Sequence, residues 1–238
     1  MIIFLKKQNL FLLIILIIIS LMCAGLLFKK TPPAKTTSLP FLGKTIVLDA
    51  GHGKPDGGAV GNSGTEEDAL NLEVTLFLQK FLEKSGINVV LTRADENGIF
   101  DEDAKSIKQK KVSDMHNREK IMNESGADVF LSIHMNKFTE AKYSGPQVFY
   151  SSQFEEARAL AEIIQKELIS ELHPKMEREI KKADSGIYLL KNAEIPAVLV
   201  ECGFLSNPEE EKLLKTEKYK ESIAWAIYKG IVTYFSEK

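Results

Sequence analysis

Five short apolar runs alternate along the chain with longer amphipathic stretches, and this alternation narrows the folds open to it more than any other feature. Thr45–Ala50 (TIVLDA), Asn88–Thr92 (NVVLT), Asp128–His134 (DVFLSIH), Pro146–Ser151 (PQVFYS) and Ala197–Cys202 (AVLVEC) are brief and rich in β-branched residues, as buried strands should be. Between the first two, Leu70, Val74, Phe77, Leu78 and Phe81 recur at helical spacing over Asp68–Lys84, with Gly86 as a C-cap. Glu119–Glu124, Phe154–Leu172 and Tyr219–Phe235 read as further helices. Strand–helix–strand order of this kind predicts an α/β fold: a single twisted, largely parallel sheet flanked by helices on both faces. Asn97–Lys111 is polar, lysine-rich and poor in apolar positions, which predicts a mobile surface excursion.

Ahead of this body, Leu10–Phe28 is almost wholly apolar and follows Lys6 and Lys7. It predicts an N-terminal apolar helix which, at about 1.5 Å per residue, spans most of a bilayer. Residues 1–30 therefore read as a signal peptide or a membrane anchor, and the lack of a small-x-small cleavage site favours the anchor. Met22 stands where a lipoprotein box wants a small residue, which argues against lipidation. Residues 31–43, opening on the proline- and threonine-rich TPPAKTTSLP, read as a linker, and 44–238 as the working domain. On either reading the body is exported and extracytoplasmic, and any membrane contact runs through the N-terminal segment.

The formal net charge is −2, from 31 basic and 33 acidic residues. Lys6, Lys7, Lys29 and Lys30 precede residue 31 with no acid among them, so the body is more acidic than the whole. That argues against nucleic acid as a partner. Cys23 lies in the apolar run and Cys202 stands alone in the body, which excludes a disulfide within the body and a multi-cysteine zinc site.

Three strands end in residues able to bind metal or move protons: His52, His134 and Glu201. In an open α/β sheet such strand ends converge on one crevice. The loop Leu48–Gly58, LDAGHGKPDGG, fits neither the Walker nor the dinucleotide glycine pattern. Pro55 removes a donor and Asp56 repels an anion, so the loop is poorly suited to phosphate. A zinc site of two histidines and a glutamate would need a third ligand, which Glu66 or Glu67 could supply from the start of the first body helix. Glu201, at a strand end among apolar neighbours, suits a general base of raised pKa. A strand-end histidine is more often a hydrogen-bonded core residue, and spacing alone leaves zinc open. Cys202 alternates to the face opposite Glu201, which disfavours it as a thiol nucleophile.

AGHGKPDGGAVG, TEEDALNL, FLSIHMN and PAVLVECGFLSNPEEEKLL, in that order, resemble the signature blocks of zinc-dependent N-acetylmuramoyl-L-alanine amidases of the Amidase_3 family, over residues from about Thr45 onward. The resemblance implies one Zn²⁺ held by His52, Glu66 and His134, with Glu201 as the catalytic glutamate. It selects Glu66 over Glu67 because the family ligand stands two residues before the helix-opening aspartate, here Asp68. Asn136 matches an asparagine that orients substrate or ligand, or is a turn residue. Arg93 and Arg118 also match family positions and read as structural. Lys54 replaces the second glycine of the family loop, and either faces solvent or reaches an acidic group of the substrate. The implied substrate is peptidoglycan, cut at the amide joining N-acetylmuramic acid to L-alanine. The short body most resembles the sporulation- and germination-associated type. A zinc peptidase acting within the stem peptide and an inactive wall-binding regulator are the rival readings. A protein activator stays open.

Overall fold

Side chains along each strand alternate between two helical layers, and that alternation decides which residues reach the chemistry. The computed structural model describes residues 7–27, 39 and 41–237 and divides between residues 38 and 39 into two units. The first contains α1 (Lys7–Leu27), the expected apolar helix, with Leu10 to Met22 exposed. Among the described residues no helix is long and apolar enough to cross a membrane. The expected linker lies outside the described residues up to residue 38 and again at residue 40. Its last part belongs to the body, because Phe41 is buried in the core.

The second unit carries β1 (Thr45–Ala50), α2 (Glu67–Lys84), β2 (Asn88–Leu91), α3 (Ile107–Glu124), β3 (Val129–Asn136), β4 (Gln147–Tyr150), α4 (Glu155–Leu172), β5 (Lys181–Lys182), α5 (Tyr188–Lys191), β6 (Ala197–Phe204), α6 (Pro208–Leu214) and α7 (Glu217–Ser236). The strands form one sheet in the order β2-β1-β3-β6-β4-β5. β1 pairs parallel with β2 and β3, and β3 with β6. β4 runs antiparallel to β6 and carries the short β5 beside it. The sheet is therefore mixed. The segment after β3 contains no crossover helix, so β4 starts at the end where β3 stops and must run back.

Ile46, Leu48, Leu131, Ile133, Val198 and Val200 face the layer of α2, α4 and α7. Their neighbours Val47, Phe130, Ala197 and Leu199 pack instead against Met122 of α3 and Leu189 and Leu190 of α5. Helices thus cover both faces. The second layer is thinner, and it leaves the carboxyl ends of β1, β3 and β6 open on that side.

The lysine-rich excursion ends earlier than its polarity predicts. α3 begins at Ile107, where Ser106 accepts from the Gln109 backbone N–H and Gln109 returns the bond, forming a capping box. Only Arg118 and Met122 of this helix are buried, so its apolar stripe is too narrow to show as a periodic pattern. Leu48, wholly buried on β1, sets the strand that carries the site. Leu48→Ala should lower unfolding free energy by about 2–5 kcal/mol, measured as a fall in the urea midpoint.

Candidate active site and metal centre

β1 delivers the chain to Gly51 and then to His52, which holds φ 61°. A residue with a Cβ rarely adopts this left-handed conformation unless its surroundings impose it. Two buried arginines do so by taking three consecutive carbonyls. Arg118 donates to the carbonyls of Ala50 (2.8 Å) and His52, while Arg93 donates to those of Ala50 (2.9 Å) and Gly51 (3.0 Å). Arg93 also reaches the Asp68 carbonyl at 2.8 Å, fastening the loop to the start of α2. Both arginines are structural, as the sequence suggested.

Arg118 is held in turn by Asp49 and Asp114. Asp49 also accepts from Thr92 Oγ1 (2.8 Å) and Ser132 Oγ (2.5 Å). Burial pushes the Asp49 carboxyl up, but Arg118 and these hydroxyls outweigh it and hold the group below the usual carboxylate range. Burial likewise works against the Arg118 charge, and the two aspartates overcome it and raise its pKa.

Above this base, Glu67 joins the two histidines. His52 Nε2 lies 3.2 Å from Glu67 Oε2, and His134 Nδ1 lies 2.9 Å from Oε1. The carboxylate also accepts from the backbone N–H groups of Ala59 (2.8 Å) and Met135 (3.0 Å) and from the Asn71 amide (3.3 Å). One ligand atom from each of His52, Glu67 and His134 lies within 4.8 Å of the others. Two imidazoles and a carboxylate at this spacing are a donor set suited to one zinc-sized dication. The other ring nitrogen of His52 meets Asp56 Oδ2 at 3.2 Å, so that carboxylate fixes the ring.

The loop's glycines serve close approach. A Cβ on Gly51 would stand 2.3 Å from His134 Nε2, and one on Gly58 would stand 2.6 Å from Glu67 Oε2. Only a hydrogen at those positions lets ring and carboxylate seat against the loop.

The glutamate register is corrected by one residue. Glu66, expected as the ligand, is the extended N-cap residue of α2, and its half-exposed side chain turns away to pair with Lys54. Glu67, the first helical residue, points inward and is nearly inaccessible. Lys54, expected to face solvent or a substrate acid, is engaged by Glu66 and lies 3.4 Å from Asp68. The two departures explain each other. Asn136 sits where the β3–β6 register breaks, its carbonyl accepting from Leu205 N–H at 2.8 Å, and it is not among the residues lining the cleft.

Glu201 pairs in register with His134 across β3 and β6 and lines an open cleft of about 430 Å³ together with His52, His134 and Asp56. Its Oε2 is shielded from solvent and has no hydrogen-bond partner. Burial, with the Glu67 charge adding to it, pushes its carboxyl up to about 7 against the pull of the histidines. Burial opposes the charge on His52, but Asp56 and Glu67 lift it to about 9, and Glu67 is correspondingly held far below the usual carboxylate range. Cys202 faces the opposite core with its thiol pKa raised by burial, so it is no nucleophile.

The contact of Asp56 with His52, the role of Asn71 and the pairing of Arg118 with Asp49 escaped the sequence reading. Asp49 left a trace as an acid inside an apolar strand, which demands a buried cation. Asn71 left another by lying one helical turn beyond Glu67.

Two histidines and a carboxylate placed to hold a metal, beside an acid free to move a proton, are the parts a metal-assisted hydrolase needs. The chain belongs to the N-acetylmuramoyl-L-alanine amidase family, Amidase_3, which matches residues 46–233. It accordingly hydrolyses the bond between N-acetylmuramic acid and L-alanine in peptidoglycan. It is 41% identical to the germination-specific N-acetylmuramoyl-L-alanine amidase of Bacillus subtilis, over 89% of this chain and 88% of that one. Among solved structures it resembles the CwlD amidase of Clostridioides difficile, in complex with the GerS lipoprotein, with TM-score 0.79 and 45% identity, covering 82% of this chain and all of that one. The catalytic domain of CwlV from Bacillus (Paenibacillus) polymyxa gives TM-score 0.70 at 31% identity, over 82% and 99%.

Removing Arg118 would leave Asp49 buried and unpaired. Arg118→Met should therefore destabilise the fold by about 3–5 kcal/mol, read by denaturant unfolding.

Proposed function

We propose that the amidase works on one zinc ion per chain, held by His52, Glu67 and His134, with Glu201 as the catalytic general base. The observation that carries this reading is Glu67 bridging two histidines beside a carboxylate whose Oε2 is buried without a partner. Zinc at these ligands supplies Lewis acidity that polarises the amide carbonyl and acidifies a water. Glu201 accepts the proton of the water that attacks the carbonyl carbon. As the C–N bond breaks, it returns that proton to the departing L-alanine amine. Asp56 holds the His52 ring, and Asn71 with the Ala59 and Met135 N–H groups holds Glu67, so each ligand side chain is oriented by a second partner.

The organisation follows the same reading. Residues 1–30 direct export, as a signal or an anchor, 31–40 act as a spacer, and the catalytic domain runs from Phe41, whose side chain is in its core, to residue 238. The exposed leucines and isoleucines of α1 favour a lipid setting, since bare apolar surface of that extent is unfavourable in water. The likeness to a germination-specific amidase supports a role in spore-cortex maturation, and the GerS complex of the Clostridioides difficile relative supports a lipoprotein partner.

The ligand set separates adjacent glutamates. Glu67→Gln should lose stoichiometric zinc while Glu66→Gln keeps it, measured by metal analysis after dialysis; the reverse pattern would restore the register first expected. Glu201→Gln should retain zinc and lose about 10²–10⁴ in kcat, followed by mass spectrometry of stem peptides released from purified peptidoglycan. Because the base must be ionised, kcat/KM should fall as pH drops through its pKa. A bound dication pulls that acid limb to or below about 7, and Glu201→Gln should abolish it.

A further inference from the structure

The cleft extends well beyond the histidines, and its far wall is built by the lysine-rich segment that the reaction leaves unused. Phe100, Lys110 and Lys111 of that segment, with Met115 of α3 and Tyr188 of α5, line the same cleft as His52 and Glu201. The wall is anchored at both ends. Gly98 N–H donates to the carbonyl of Lys54 in the His52 loop at 3.0 Å, and Lys54 N–H donates back to the Glu96 carbonyl at 2.7 Å. Ile99 N–H donates to Asp114 Oδ1 at 2.6 Å, and the Asp101 carboxylate accepts from Ser113 Oγ and the Asn117 amide of α3.

Four acids line this cleft, Asp49, Asp56, Asp114 and Glu201, together with Lys110, Lys111 and Arg118. Their cations are already committed. Arg118 is taken by Asp49, Asp114 and two carbonyls. Lys111 Nζ stands 2.8 Å from Asp56 Oδ1, on the carboxylate that holds His52. Lys110 differs. Its ammonium lies 4.5 Å over the Phe100 ring, and no carboxylate partner is recorded for it among the described residues. An ammonium seated on an aromatic face is directed by the ring and left free to meet an anion.

The reaction provides one. The leaving group is a peptide amine that carries at least its own terminal carboxylate, and an anionic peptide entering a cleft rimmed by four acids needs an opposing charge. We propose that Lys110, supported on Phe100 and flanked by Lys111, is the subsite that binds a carboxylate of the stem peptide, and so makes the amidase selective for acidic over amidated stems. This deepens the amidase reading and rests on it. Lys110 is a specificity residue; it does not touch the reacting atoms.

The test compares two soluble substrates of the zinc-loaded full chain: N-acetylmuramoyl-L-alanyl-glutamic acid and its bis-carboxamide. The wild-type protein should favour the acid in kcat/KM, the difference lying in KM. Lys110→Gln should reduce that preference about tenfold, as expected for loss of one charge-assisted contact, and Lys110→Arg should restore much of it. A wild-type protein with no preference, or a Lys110→Gln variant that loses both substrates equally and keeps the ratio, would overturn the proposal. Should neither substrate be cut, the fault would lie with the amidase reading, and calorimetric binding of the same two compounds would still report the ratio.

Discussion

The ion pair between Asp49 and Arg118 is the interaction on which the site depends. Both side chains are almost wholly removed from water, where an unpaired charge would be strongly unfavourable. Their mutual satisfaction therefore fixes the guanidinium in one place, and that guanidinium fixes the carbonyls of Ala50 and His52. The strained φ of His52 follows from this clamp. So does the direction of its ring, towards Glu67 on one side and Asp56 on the other. A loop of glycines would otherwise have many conformations open to it. Here the flexibility that allows close packing is cancelled by two arginines reaching in from β2's end and from α3.

Alternation along β6 sorts two reactive residue types into different environments. Glu201 faces the thin layer and the cleft, where burial without a partner makes it a stronger base. Cys202, one residue later, is sealed among Val198, Val200 and the α2–α4–α7 layer. A one-residue slip of that strand would exchange them. The register with β3, which aligns His134 with Glu201, therefore determines the chemistry as much as the residue identities do.

The fold was largely legible because its strands are short, apolar and β-branched, and three of its helices carry a broad apolar stripe. What escaped had physical reasons. α3 buries only Arg118 and Met122, so a polar surface helix resembled a loop. The reversal of β4 depends on the absence of a crossover after β3, and the two-residue β5 carries no periodic signal. In the site, His52, His134 and Glu201 could be read because each ends a strand. Glu67 could not be separated from Glu66 by spacing, since a shift of one residue at a helix start decides which side chain turns inward. The cap position turned Glu66 outward, and Lys54 was there to receive it.

The far edge of the sheet has a separate significance. It ends in β5, two residues long and made of Lys181 and Lys182, both exposed. An edge strand presents free backbone donors and acceptors that another chain can extend, and short length and lysine side chains both discourage such addition. That charged, two-residue stub discourages addition of another chain at this edge of the sheet.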